Sequence, residues 1–104
     1  MAEVFHYRVL FYGGVEGYED TRAEVFLYGE DRERPLGSIK FHDPEMQLPN
    51  DRQSGEEITM HLRSERLKNV IDILRNESPI YFVFVDAFRI ARLSTSEEPV
   101  GEAE

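Results

Sequence analysis

Three histidines, His6, His42 and His61, are the side chains of this sequence whose ordinary pKa lies near neutrality, and one of them opens the run His42-Asp43-Pro44-Glu45. That run places an imidazole and two carboxylates within four residues, and together with His61 it supplies a candidate ligand set for a metal: His42, Asp43, Glu45 and His61. Adjacent residues of an extended chain point away from one another, so the local run offers one or two converging ligands at best, and no helical His pair strengthens it. A histidine acting as general base needs a carboxylate to orient it, and Asp43 and Asp86 are the partners the sequence provides. No nucleophile stands beside a base, because Ser94-Thr95-Ser96 reads as the entry to a tail. Gly13, Gly14 and Gly17 do not open a helix, and the acids at 16, 19 and 20 would repel a phosphate, so this stretch reads as a flexible strand connection. The expectation is no catalytic residue, no cofactor and no metal. A ligand or metal site, or a small enzyme, built around the 43–57 loop is the alternative.

Charge is distributed unevenly along the chain. The net charge is −9, yet segments 13–20, 43–57 and 94–104 hold 12 of the 21 acidic residues and one basic residue, Arg52. What remains is a nearly neutral body and three acidic, irregular segments. Lys and Arg drive sequence-independent binding to nucleic acids, so this balance speaks against such a partner. With 104 residues the chain fits one domain, and with no cysteine it forms no disulfide and no thiolate metal site. The start, Met1-Ala2-Glu3, lacks the charged lead of a signal peptide, and the longest apolar run, Ile80 to Val85, is far short of the roughly 20 residues that span a bilayer. A cytoplasmic protein with no membrane segment is expected.

The elements that would position any site follow from periodicity. Val4 to Tyr12 alternates Phe5, Tyr7, Val9 and Phe11 against His6, Arg8, Leu10 and Tyr12, the pattern of a strand. Ala23, Val25 and Leu27 alternate with Glu24, Phe26 and Tyr28, and a shorter run pairs Ile39 with Phe41, so these two segments predict a hairpin. Residues 42–57 show no period and predict a long loop. Ile58, Met60 and Leu62 predict a fourth strand. Leu67, Val70, Ile71 and Leu74 share one face of a helix that starts after Ser64 as N-cap and stops near Asn76. Ile80 to Val85, apolar on both faces, predicts a central strand, and Asp86-Ala87 a two-residue turn or a bend into a last strand, Phe88 to Leu93.

The order β-β-β-β-α-β-β gives an α+β domain over 1–93, an antiparallel sheet of five or six strands with one helix packed on one face, and an acidic disordered tail over 94–104. One helix of about 13 residues spans about 20 Å and cannot cover such a sheet. The open face therefore predicts a noncatalytic protein-interaction module, with Arg8, Tyr12, Tyr28 and Lys40 as contact residues and a protein partner or a second copy as ligand. Single-stranded nucleic acid on a surface built from these residues with Arg22, Arg89, Arg92 and Tyr81 is a second alternative, weakened by phase: Arg89 and Arg92 fall on opposite faces of a regular strand.

Overall fold

The computed structural model describes residues 2–95, an α+β arrangement of one helix and two sheets. Its strands are β1 (Ala2–Glu3), β2 (His6–Phe11), β3 (Ala23–Tyr28), β4 (Pro35–His42), β5 (Arg52–Ser54), β6 (Glu57–Arg63), β7 (Ile80–Val85) and β8 (Ile90–Thr95), and its helix is α1 (Leu67–Asn76), entered through a 3-10 turn, Ser64–Arg66. Five strands pair in the order β2-β3-β4-β6-β5 and three in the order β1-β7-β8. The single antiparallel sheet expected from the sequence is therefore corrected on two counts: the strands divide between two sheets, and β4 and β6 run parallel.

The division occurs inside the first alternating run. Phe5 N–H donates to the Tyr28 carbonyl at 2.8 Å although Tyr28 is already the register partner of His6, so two residues of one strand oppose one of the other. This is a β-bulge, which bends the strand and sharpens its twist. One residue earlier Val4 N–H donates to the Ile80 carbonyl at 2.8 Å, so the chain leaves the small sheet and enters the large one within two residues.

The parallel pair has its origin in the long acidic segment. From His42 the chain crosses over, descends as β5 antiparallel to β6, and turns at Gly55 so that β6 rises between β4 and β5. A parallel neighbour requires a crossover of this kind, and residues 43–56 supply it. At the other hairpin, Val85 and Ile90 close a four-residue turn, 86–89, in place of the two-residue turn expected at Asp86-Ala87; Arg89 carries the positive φ, 58°.

Both α1 and the small sheet lie against the same face of the large sheet. Ala23, Val25 and Leu27 of β3 and Ile39 and Phe41 of β4 are fully buried there beneath Val70, Phe82 and Ala91, with Ile58 from β6 completing the layer. α1 has one buried residue, Val70, while Leu67, Ile71 and Leu74 pack from its flank, consistent with a stripe at i, i+3, i+4 and i+7. Ser64 makes no side-chain cap to the helix. The covering layer ends before β2. Tyr7, Val9 and Phe11 stand on the core side of the sheet, opposite the fully buried Leu27, Val25 and Ala23 of β3, yet remain 37%, 38% and 66% exposed. β8 runs to Thr95; the remainder of the expected acidic tail, residues 96–104, lies outside the described residues.

Candidate functional site

The face of the large sheet opposite α1 carries a polar cluster at the ends of β4 and β6. The parallel register sets His61 opposite Lys40 and His42 opposite Arg63, so both histidines project from the same face two residues apart along the strands. Their rings stack at 5.1 Å between centroids and 25° between planes, and His42 Nε2 lies 2.9 Å from His61 Nδ1. His42 Nδ1 lies 2.5 Å from the carbonyl oxygen of Asp20. A carbonyl can only accept, so His42 Nδ1 carries a proton; in the neutral pair His42 Nε2 then accepts from His61 Nδ1–H, and the remaining lone pair is on His61 Nε2.

Two loops meet over this pair. Arg22, at the foot of β3, donates through Nε and Nη2 to Asp43 at 2.9 and 2.8 Å and through its two Nη groups to the carbonyls of Tyr12 and Val15. Arg63 Nη1 donates to the carbonyls of Asp43 and Met46, both at 2.8 Å. The acidic segments 13–20 and 43–51 are thus fastened to the sheet by Arg22, Arg63 and the imidazole of His42. Asp51 closes the other side. Its Oδ1 accepts the backbone N–H of His61 at 2.7 Å, just where β5 has ended, and its Oδ2 accepts the N–H of Ala91 on β8 at 2.9 Å. One carboxylate therefore continues the ladder of the large sheet and joins it to the edge of the small one.

These contacts decide what the candidates can do. The structure brings His42 and His61 together. Asp43 turns to Arg22, whose hydrogen bond holds its carboxyl below the usual range against the opposing effect of burial, with Ser64 and the Arg22 charge adding to the lowering. Glu45 is exposed, and among the described residues no group of three or more His, Asp or Glu converges as metal ligands. Asp86 lies on the exposed 86–89 turn. Asp51 accepts the main-chain N–H of His61, while the His61 imidazole is bonded to His42. Sequence reasoning passed over Asp51 and the Asp20 carbonyl, because neither lies in a periodic segment.

The four expected contact residues, Arg8, Tyr12, Tyr28 and Lys40, share the outer face: β2 and β3 register Arg8 with Phe26 and His6 with Tyr28, and β3 and β4 register Glu24 with Lys40. Arg8 lies over the Phe26 ring at 5.9 Å. Glu24 accepts from Tyr12 Oη at 3.2 Å and from Ser38 Oγ at 2.9 Å, and burial, with the Glu24 charge second, raises the Tyr12 pKa. The cations of the nucleic-acid alternative are dispersed: Arg22 is inside the loop cluster, and Arg89 and Arg92 are on the β7–β8 hairpin.

Burial, and next the charge of His42, pull the His61 pKa down to about 4 from the ordinary 6.5. The unfolded chain then binds more protons than the folded one between pH 6.5 and 4, so stability falls as pH falls through that window and is fully present above it. A gap of this size corresponds to about 3 kcal/mol, and partial exposure of the ring reduces the effect to on the order of 1–2 kcal/mol. Urea unfolding at pH 7.5, 6.0 and 4.8 is expected to show this decline in the parent and a much flatter profile in His61→Gln. Equal slopes in both proteins would remove His61 as the cause. The Asp43 contribution is separable, being lost only below the usual carboxylate range.

No family model matches this chain, and neither a curated protein nor a solved structure matches it.

Proposed function

We propose that this protein is a noncatalytic interaction module that engages a protein partner along the β2 margin of its large sheet. One observation carries the reading: the core-side row Tyr7, Val9 and Phe11 is apolar, contiguous and exposed, although its neighbours on β3 are fully buried. Singly exposed apolar residues are ordinary, whereas an exposed row of this kind marks a contact surface. The main chain supports it. Tyr12 N–H donates to the carbonyl of its register partner Arg22, so the ladder bonds of β2 belong to Tyr12, Leu10, Arg8 and His6. The N–H and C=O groups of Tyr7, Val9 and Phe11 therefore point outward, available to an added strand. On the outer face Arg8, Tyr12, Tyr28 and Lys40 flank the same margin and supply polar contacts at its rim.

A photo-crosslinking side chain placed at Phe11 is expected to give one discrete protein adduct in extract of the source cells, homotypic or heterotypic. The same group at Asp72, on the exposed flank of α1, is expected to give none. Absence of an adduct from Phe11, or equal labelling from both positions, would dispose of the reading.

A further inference from the structure

We infer that the strand added to β2 is the β2 of a second copy of this chain, antiparallel and centred on Val9, so that two large sheets merge into one of ten strands. This rests on the β2 margin being the binding surface and names its occupant. Two features of the edge select a copy of itself.

The first is the position of the outward main-chain groups. They belong to Tyr7, Val9 and Phe11, a set symmetric about Val9, so a twofold axis through Val9 pairs Val9 with Val9 of the second copy and Tyr7 with its Phe11, each able to exchange both ladder bonds. The second is charge. β2 contains no acidic residue in a chain of net charge −9, and its one fixed charge is Arg8. In the Val9 register Arg8 faces Leu10 of the second copy and His6 faces Tyr12, so no like charges are opposed. Shifting the centre to Arg8 would oppose two guanidinium groups, which is destabilising. On the core side, Val9 and the Tyr7 and Phe11 rings of both copies form one continuous apolar row. The edge also lacks the devices that keep an exposed strand single, such as proline, an inward charge or lysine.

The size of the contact sets its strength. From their exposures, Tyr7, Val9 and Phe11 offer about 250–300 Å² per copy, roughly a third of a standard interface. A contact this small is expected to associate weakly, so a range from about 1 μM to several hundred μM is the one in which to look for dimer.

Sedimentation equilibrium across that range tests the inference, together with two variants. Val9→Pro removes an outward N–H and keeps the bonds to β3, so it is expected to hold the thermal midpoint within a few degrees and to abolish the dimer. The chain has no cysteine, so Val9→Cys carries a single thiol. At the centre of the register the two Cα atoms lie about 5.5 Å apart, within disulfide reach, and oxidation at high concentration is expected to give covalent dimer. In Leu10→Cys the two positions are offset along the strands, and little covalent dimer is expected. Concentration-dependent dimer lost in Val9→Pro, with crosslinking confined to Val9→Cys, supports the inference. A monomer at every concentration overturns the second copy as occupant, while the Phe11 adduct still judges the margin itself. A dimer that persists in Val9→Pro, or that crosslinks equally through Leu10→Cys, overturns the register.

Discussion

Replacing Gly37 by alanine is expected to prevent folding. Gly37 lies in β4 at φ 156°, beside β6, and a Cβ built on it would stand 1.9 Å from the carbonyl oxygen of Ile58 and 2.8 Å from that residue's carbonyl carbon and nitrogen. These are main-chain atoms of the neighbouring parallel strand, so no side-chain rotation relieves the clash. Relief requires separating β4 from β6, at the centre of the sheet and directly over the buried layer formed by Ile39, Phe41 and Ile58. The φ value adds to the cost, since side-chain-bearing residues rarely adopt it. Loss of more than about 4 kcal/mol is expected, against a total stability on the order of 5–15 kcal/mol for such domains. Far-UV circular dichroism and a two-dimensional amide NMR spectrum would report it as loss of the native pattern. A cooperative transition within about 1 kcal/mol of the parent would show that β4 and β6 can part there without consequence.

The second large effect belongs to Asp51. Its two oxygens accept one amide from each sheet, His61 N–H and Ala91 N–H. A hydrogen bond to a charged group contributes about 1.5–3 kcal/mol, and removing the acceptor leaves both amides without a partner at sites where Ala91 is buried and His61 half-buried. Asp51→Ala is therefore expected to cost about 3–5 kcal/mol. Asp51→Asn keeps one acceptor oxygen but turns an amide donor toward the other N–H, and about 2 kcal/mol is expected. Urea unfolding midpoints would rank parent, Asn and Ala in that order, with faster hydrogen exchange at both amides. If the alanine variant lost less than about 1 kcal/mol, water would have to replace the carboxylate at both amides.

Alternation and helical period made much of this legible. Ala23, Val25 and Leu27 declared the buried face of β3, and Leu67, Val70, Ile71 and Leu74 declared the stripe of α1. The same parity placed Arg8, Tyr12, Tyr28 and Lys40 on one face. Other features left no such trace. The bulge at Phe5 and His6 interrupts a run that alternates without a glycine or proline to mark it, so the split between sheets was invisible. β5 is Arg-Gln-Ser, wholly polar and exposed, with no apolar face to reveal a strand. A period of two is identical for parallel and antiparallel neighbours, so the orientation of β6 against β4 had no signature. The histidine pair depends on that orientation: His42 and His61 are nineteen residues apart, and only the parallel register sets them side by side. Segments 13–20 and 43–51 read as solvated charge, while the structure uses the backbone carbonyls of Val15, Asp20, Asp43 and Met46 as well as the Asp43 and Asp51 carboxylates.

The bend at Phe5 and His6 also governs how the molecule comes apart. Within a few residues one stretch of chain is zipped to β7 on one side and to β3 on the other, Glu3 with Tyr81 and His6 with Tyr28. Phe82 and Ala91 of the small sheet fill the same core as Val25 and Phe41 of the large one. The two sheets are therefore coupled, because opening either one exposes the other's core and tears at the shared segment. Loss of structure is expected as a single cooperative transition, with the same midpoint for amides of both sheets.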